Sequence, residues 1–484
     1  MLSAYEQLAG PDEMLDREGL PRPAYAEFAS RLASWTIDDI DVRQQRAELE
    51  MLTGGITFTV YEDDAGAERI FPFSILPRVV AAAEWRMIES GLIQRVRALN
   101  AFLADVYSTQ RCITDGVIPV EVLFGGAGLN LRMVDFEPPL GVYAHIVGTD
   151  LIRDQDGQFR VIEDNARTPS GVSYVIENRR VMLNAVPDLF PEGAVQSVDD
   201  YAERLLETLI AVRPPHVSHD ETRVVILTPG GYNSAYFEHA FLAREMGVEL
   251  VEGHDLLVHD HTVYLRATTG LEPVHVVYRR IDDDFIDPLA FRPDSALGVA
   301  GLADAYRAGR VTLANAPGVG VADDKVVYRF VPDFIRYYLG EEPILPNIET
   351  YAAVLPSDLE QMCANLDQLV TKPAGESGGY GIVIGPQASA DELRALEERV
   401  RADPRNWIAQ PLQEFSTIPT LLDGKLHARR SDLRPFILTG EHSWVLPGGL
   451  TRVALRDGSY IVNSSQGGGS KDTWVLRTPL ERDG

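Results

Sequence analysis

The chain has little cysteine and a shortage of positive charge. Cys112 and Cys363 are the only cysteines in 484 residues. Two thiols are too few for a disulfide scaffold or a thiolate metal cluster, so both are expected to be buried small residues in a reducing compartment. Lys and Arg number 44 against 72 Asp and Glu, a formal net charge of −28. Such a chain repels nucleic acid and anionic membrane, and neither is expected as a partner, although a local basic cleft could still hold small phosphates. No segment supplies the roughly 20 uninterrupted apolar residues of a membrane span, and the opening residues lack a basic stretch followed by an apolar one. A soluble, cytoplasmic protein is expected. HExxH, CxxC and GxxxxGK[ST] are absent too, which removes the usual zinc-protease, thiol-redox and Walker-loop readings.

What is present is globular. Hydrophobic residues make up 45% of the chain and charged residues 24%, which excludes global disorder, and the length suggests about three domains. The first 50 residues read as helix around Leu32, Trp35, Ile37 and Ile40. Alternation at Ile56, Phe58 and Val60 predicts a half-buried strand. Trp85, Ile88, Leu92, Val96, Leu99, Phe102 and Val106 recur at helical spacing and predict a core-facing helix between 81 and 108. From 220, RVVILT, the helix YFEHAFLAREMG and the strand VELVEG form a βαβ unit, the mark of a doubly wound α/β domain. Composition changes again near 320–360, and the end of the chain returns to strands and turns.

The first chemical content lies in a predicted hairpin, VYAHIVGTDLIRD and QFRVIEDNARTPSG around the turn Asp156–Gly157. Alternation puts Glu163 and Asn165 on one face and Asp164 on the other. With Asp150 from the preceding strand they offer hard oxygen ligands to Mg²⁺; the alternative is an Asx-rich strand end capped by its own turn. Arg167, Thr168, Ser170 and Gly171 suit phosphate oxygens and an ordinary turn equally. TKPAGESGGYGIVIG places Lys372 before Gly375, Gly378, Gly379 and Gly381, where small residues let backbone N–H groups approach phosphates. SSQGGGSKD, with Lys471, has the same character, and a structural glycine turn is the alternative for both. Lys325 follows Asp323–Asp324 and is either solvated by them or a strand-end lysine facing a nucleotide. Gln410 in WIAQPLQEF could read an adenine edge. Arg279 and Arg280 lie beside Asp282, Asp283 and Asp284, as phosphate ligands or as a surface ion-pair network. Arg429, Arg430, Arg434 and Arg452 are further partners for phosphate or an α-carboxylate.

Taken together, HIVGTDLIRD, VIEDNARTPSGVSYVIENRR, VVYRRIDDDFIDPLAFRPDS, LANAPGVGVADDKVVYRFVPDFIRYYLGEEPILP, TKPAGESGGYG, DLRPFIL and VNSSQGGGSKDTWVL resemble the circularly permuted ATP-grasp proteins of type 2, related in fold to glutathionylspermidine synthetase. The resemblance covers most of the chain. It implies an α/β, circularly permuted ATP-grasp fold with an inserted doubly wound domain and a nucleotide-clamping lid region. The implied division is a helical and strand segment at 1–80, a metal-ligand portion at 81–219 and the doubly wound domain at 220–320. A nucleotide-clamping, Gly-rich lid domain follows at 321–440 and a return to the core at 441–484. The implied cofactors are ATP and Mg²⁺. Asp150, Glu163 and Asn165 look like the metal ligands. Lys325, Lys372, Gly375, Gly378, Gly379, Gln410 and Lys471 look like the nucleotide group, and Arg153, Arg167, Arg279, Arg280 and Arg452 are the catalytic candidates. The chain departs from the synthetase pattern at Gly148, where an arginine stands two residues before the first metal-ligand aspartate; Arg153, Arg167 or Arg279 could supply that charge. No glutathione- or spermidine-recognition signature accompanies the motifs. The implied activity is ligation of a carboxylate to an amine, on small molecules or short peptides, through an acylphosphate. A small-molecule kinase and a non-catalytic nucleotide-gated binding protein are the alternatives.

Overall fold

The computed structural model describes the chain except residues 1–4, 6, 9, 60–67, 127, 191–192, 376–380, 423, 461, 463–467 and 479–484, and except the side chains of 58, 59 and 68–70. Its centre is a nine-stranded sheet. Along the main path the order is Ser443–Val445, Phe436–Thr439, Ile146–Arg153, Lys425–Arg434, Leu450–Val453, Gly469–Val475 and Phe73–Val80. Phe159–Asn165 pairs with Ile146–Arg153, and Thr417–Leu422 with Lys425–Arg434. All these pairs are antiparallel except the last on the main path. The predicted hairpin is therefore real and lies inside the sheet. Gly157 has φ of 78°, which suits a residue without Cβ, and Asp154 Oδ1 accepts from the backbone N–H of Asp156 and Gln158, both at 2.9 Å, closing the turn.

The helix Ala82–Val106 covers one face of this sheet, and its stripe of Trp85, Ile88, Leu92, Val96, Leu99 and Phe102 is buried as expected. Arg95 interrupts the stripe for a reason. Its guanidinium clasps Asp164, Nε to Oδ1 at 2.8 Å and Nη2 to Oδ2 at 2.7 Å, and Thr149 Oγ1 donates to the same carboxylate at 3.0 Å. Asp164 thus points into the helix-covered face, which commits Glu163 and Asn165 to the other.

Of the four smaller sheets among the described residues, two are four-stranded. Thr312–Ala314, Val276–Arg279, Val224–Leu227 and Glu249–Val251 form a four-stranded parallel sheet with helix Tyr236–Met246 in the crossover. Its strands are nearly continuous apolar runs, as strands covered on both faces must be. The other sheet is antiparallel, in the order Tyr351–Ala352, Trp407–Pro411, Leu369–Pro373, Val383–Ile384. One of its faces packs on the helices Pro356–Ala364 and Ala390–Ala402 around Met362, Leu366, Leu396, Val400 and Trp407, a small core of its own. Alternation then fixes its other face: with Leu369 and Ala409 in that core, Lys372 and Gln410 must face away from it.

Some local expectations change. Lys325 does not end a strand; it opens the short helix Lys325–Tyr328, because Asp324 caps that helix and accepts from Val326 N at 2.8 Å. In the opening region the helices are Ala26–Leu32 and Ile37–Thr53; Leu32 and Ile40 are buried as expected, whereas Ile37 is exposed. Arg95→Ala should destabilise the protein by about 3–5 kcal/mol, since it strands a buried carboxylate beside a single hydroxyl. Chemical denaturation of the variant against the parent measures this.

Candidate active site

The hairpin register sets the site. Asp150 lies opposite Glu163 and Gly148 opposite Asn165, so both carboxylates and the amide share one face. Asn165 Nδ2 donates to Gly148 O at 3.2 Å, which turns the amide oxygen outward. Glu163 Oε2 stands 3.6 Å from Lys325 Nζ. From the neighbouring antiparallel sheet, Lys372 Nζ donates to Gln410 Oε1 at 2.8 Å, and Gln410 Nε2 donates to Thr350 Oγ1 at 3.0 Å. Burial pushes the Lys372 ammonium down to about 8, with Glu163 and Asp150 opposing the shift and Lys325 reinforcing it. That mutual influence puts the two lysines and two carboxylates, from distant parts of the chain, into one electrostatic unit.

Asp150 is the centre of a buried quartet. Arg434 Nε donates to its Oδ1 at 2.5 Å and Arg434 Nη2 to its Oδ2 at 2.8 Å, while Arg452 Nη2 reaches Oδ2 at 2.7 Å. Arg452 also clasps Asp432 through Nε and Nη2. Burial alone would favour the neutral acid, but Arg434 and Arg452 outweigh it and hold the Asp150 carboxyl well below the usual range. Arg434 comes from the strand beside Asp150. Its Nη1 donates to Ser170 O at 3.2 Å, so the same guanidinium steadies the turn after the hairpin.

The remaining candidates are distributed as follows. Arg167 Nε donates to Asp323 Oδ2 at 2.6 Å, and Asp323 also accepts the backbone N–H of Ala166 and Arg167. The acidic pair therefore does not solvate Lys325: Asp323 holds the 166–167 turn and Asp324 caps a helix. Arg167, Asp323 and Gly375 border a cleft of about 490 Å³. Arg280 is buried and reaches Pro169 O, Ser170 Oγ and Glu238 Oε1. Arg279 is fully buried, donating to Asn315 O and Ile281 O at 2.7 Å, with Asp283 at 2.6 Å. Arg153 lies on the opposite face of its strand from Asp150 and pairs with Glu84 and Glu13. Lys471 is not brought to the lysine pair: its Nζ is buried among Ser74 Oγ, Leu76 O and Pro419 O at 2.8–3.0 Å. It follows Ser470, which pairs with Arg452, and a one-residue offset turns a side chain to the other face of the sheet. Gly378 and Gly379 lie outside the described residues. Of Arg153, Arg167 and Arg279, none contacts Asp150; Arg434 and Arg452 do.

Residues 77–454 match the family described as circularly permuted ATP-grasp type 2. The chain belongs to that family. An uncharacterized protein of Synechocystis is 52% identical over 477 residues, covering 98% of this chain and 99% of the relative. One of Mycobacterium tuberculosis is 51% identical over 467 residues, covering 96% and 84%. A Frankia alni protein that carries a provisional glutamate–cysteine ligase name is 45% identical over 472 residues; the match spans 97% of this chain but 54% of that relative. Among solved structures, a glutathione synthetase-like effector from Globodera pallida in its apo form superposes with a TM-score of 0.60 at 12% identity, over 91% of this chain and 98% of that one, a likeness of fold alone. Family membership supports an enzyme of ligase type, with carboxylate–amine ligase chemistry, and the ATP-grasp family generally uses ATP and Mg²⁺.

In this ATP-grasp protein the donor set fits a hard divalent cation. Among the described residues the Asn165 amide oxygen has no protein partner, and Asp150 Oδ1 accepts only one donor, leaving lone pairs for a metal. No three His, Cys, Asp or Glu side chains gather among the described residues, so protein charge at such a site would come from the pair Asp150–Glu163. No described helix is long and apolar enough to cross a membrane. Sequence reading missed the partners Thr350, Asp432 and Glu238; none sits in a recognisable motif, and only pairing across the fold reveals them. If Lys372 has the expected nucleotide role, a polyanion would bind its protonated form, whose charge is complete well below pH 8 and lost as pH rises through it. Affinity for Mg·ATP should therefore fall above pH 8, by at most about tenfold per unit, and Lys372→Arg should flatten the profile. Calorimetric titration from pH 7 to 9.5 measures both.

Proposed function

We propose that this chain is an ATP-dependent carboxylate–amine ligase that forms an amide or peptide-like bond through an acylphosphate and releases ADP and phosphate. One observation carries the reading: in a chain of net charge −28, Lys325, Lys372, Arg434 and Arg452 converge around Asp150 and Glu163. Such a local excess of cations suits the polyphosphate of a nucleotide and a carboxylate substrate.

In this reading Asp150, Glu163 and Asn165 hold Mg²⁺, which when bound supplies positive charge against the phosphate oxygens. Lys325 and Lys372 neutralise the phosphates, and Gln410 stands by the adenine. Residues 81–219 carry the metal ligands, 321–440 clamp the nucleotide and 220–320 form the substrate side. A substrate carboxylate oxygen attacks the terminal phosphorus and the bond to ADP breaks, giving an acylphosphate. The amine nitrogen then attacks the acyl carbon, the C–O bond to phosphate breaks, and the amine proton leaves to solvent. Two anions must approach each other in the first step, so the chain contributes position and charge compensation rather than a nucleophile of its own.

Phosphorus NMR of the protein with Mg·ATP and a mixed pool of amino acids, small peptides and polyamines should show ADP and phosphate that depend on both a carboxylate and an amine. A phosphorylated acceptor formed without amine would point to a kinase instead, and binding without turnover to a nucleotide-gated protein. Glu163→Gln should lower turnover by about 10–100-fold through loss of an anionic ligand; preserved rates would remove Glu163 from the role.

A further inference from the structure

Gly148 and Arg434 occupy one place in the fold. The strand Phe436–Thr439 pairs with Ile146–Arg153 so that Phe436 lies opposite Gly148, and Lys425–Arg434 runs beside the same strand with Asp432 opposite Ile152. Arg434 therefore enters next to Gly148, on the face that carries Asp150. A Cβ at position 148 would sit 3.2 Å from Arg434 Cδ and 3.2 Å from Pro169 Cβ, tighter than ordinary van der Waals contact. Arg434 reaches Asp150 past a glycine, where a Cβ would force its side chain or Pro169 to shift. Its forked guanidinium engages both carboxylate oxygens, at 2.5 and 2.8 Å, a geometry lysine could not reproduce.

The charge count gives this contact a consequence. Among the described residues, Asp150, Asp432 and Glu163 are the carboxylates of the group and Arg434, Arg452, Lys325 and Lys372 its cations, an excess of one positive charge when all are ionised. A bare divalent cation meets repulsion there and must share each Asp150 oxygen with a guanidinium donor. Mg·ATP, a net anion, meets attraction.

We infer that Arg434 is a positioning residue that makes metal binding at Asp150 conditional on the nucleotide: by occupying the carboxylate across Gly148, it keeps the bare cation weakly bound until polyphosphate arrives with it. The inference rests on the metal-ligand role proposed for Asp150. It implies that the cation enters as the nucleotide complex and that the site does not accumulate free metal.

The test uses Mn²⁺ alone, titrated into the full chain and followed by electron paramagnetic resonance. Removing the guanidinium removes a like charge beside the cation, so Arg434→Gln is expected to bind Mn²⁺ about tenfold more tightly than the parent. Gly148→Val crowds the arginine off Asp150 without removing a charge, should move affinity in the same direction as Arg434→Gln, and serves if that variant does not fold. With ATP present at saturation the difference between parent and Arg434→Gln should shrink. Equal or weaker Mn²⁺ binding in folded Arg434→Gln overturns the inference and leaves Arg434 a structural brace. Because Mn²⁺ alone is the probe, failure of the ligase reading, seen as no acceptor-dependent ADP, is read separately. Asp150→Asn in the Arg434→Gln background should abolish the gain; a gain that survives it overturns the inference by placing the cation elsewhere.

Discussion

The buried salt-bridge quartet Asp150, Arg434, Arg452 and Asp432 is the constraint on which the rest of the structure depends. Taking four charges out of water costs several kcal/mol for each ion, and apolar residues of the same volume would pack there at no such cost. Retaining the charges ties three strands of the central sheet together at the point where chemistry is expected. Arg434 and Arg452 keep Asp150 ionised despite burial, and an ionised carboxylate is what a cation site requires. Pairing Arg452 with Asp432 as well as Asp150 keeps either carboxylate from being left alone.

Around that quartet the central sheet and the two four-stranded sheets contribute different things. The central sheet carries the candidate oxygen ligands, and the helix Ala82–Val106 orients them indirectly, by drawing Asp164 to Arg95 on the opposite face. The smaller antiparallel sheet has its own hydrophobic core, so one face is free to present Lys372 and Gln410. The parallel sheet supplies Arg280 just past the end of its strand Val276–Arg279, and Arg280 joins Glu238 to the turn at Pro169 and Ser170. Glu238 Oε2 also accepts the backbone N–H of Gly171 and Ser173, at 2.7 and 3.1 Å, where helix Val172–Ala185 begins. A carboxylate there satisfies orphan donors and complements the helix dipole. The turn between hairpin and helix is thus held from both sides, by Arg434 and by the Arg280–Glu238 pair.

Much of this was legible before the fold was known. The periods of two and of 3.6 residues located the hairpin, the long core helix and the parallel strands, because those patterns reflect which side chains a strand or helix must bury locally. The same alternation separated Asp164 from Glu163 and Asn165. Of the two readings of Lys325, the strand-end one rests on the apolar VVYRF that follows it; Asp324, as a helix cap, overrides that strand propensity. Lys471 shares its glycine-rich setting with Lys372 but lies on the other face of a central strand, with three protein oxygens around its amine, and neighbouring composition carries no information about face.

The sequence by itself determined the α/β class, the local elements and the residue types able to bind metal and phosphate, since these follow from short-range periodicity and side-chain chemistry. Tertiary structure decided which charges meet. Arg434 and Asp150 are 284 positions apart, and their contact exists because two strands pair in one register and because Gly148 leaves room for the side chain that crosses it. Register is a property of the assembled sheet, set by the burial of whole faces, and a slip of one residue would turn every one of these groups away from its partner.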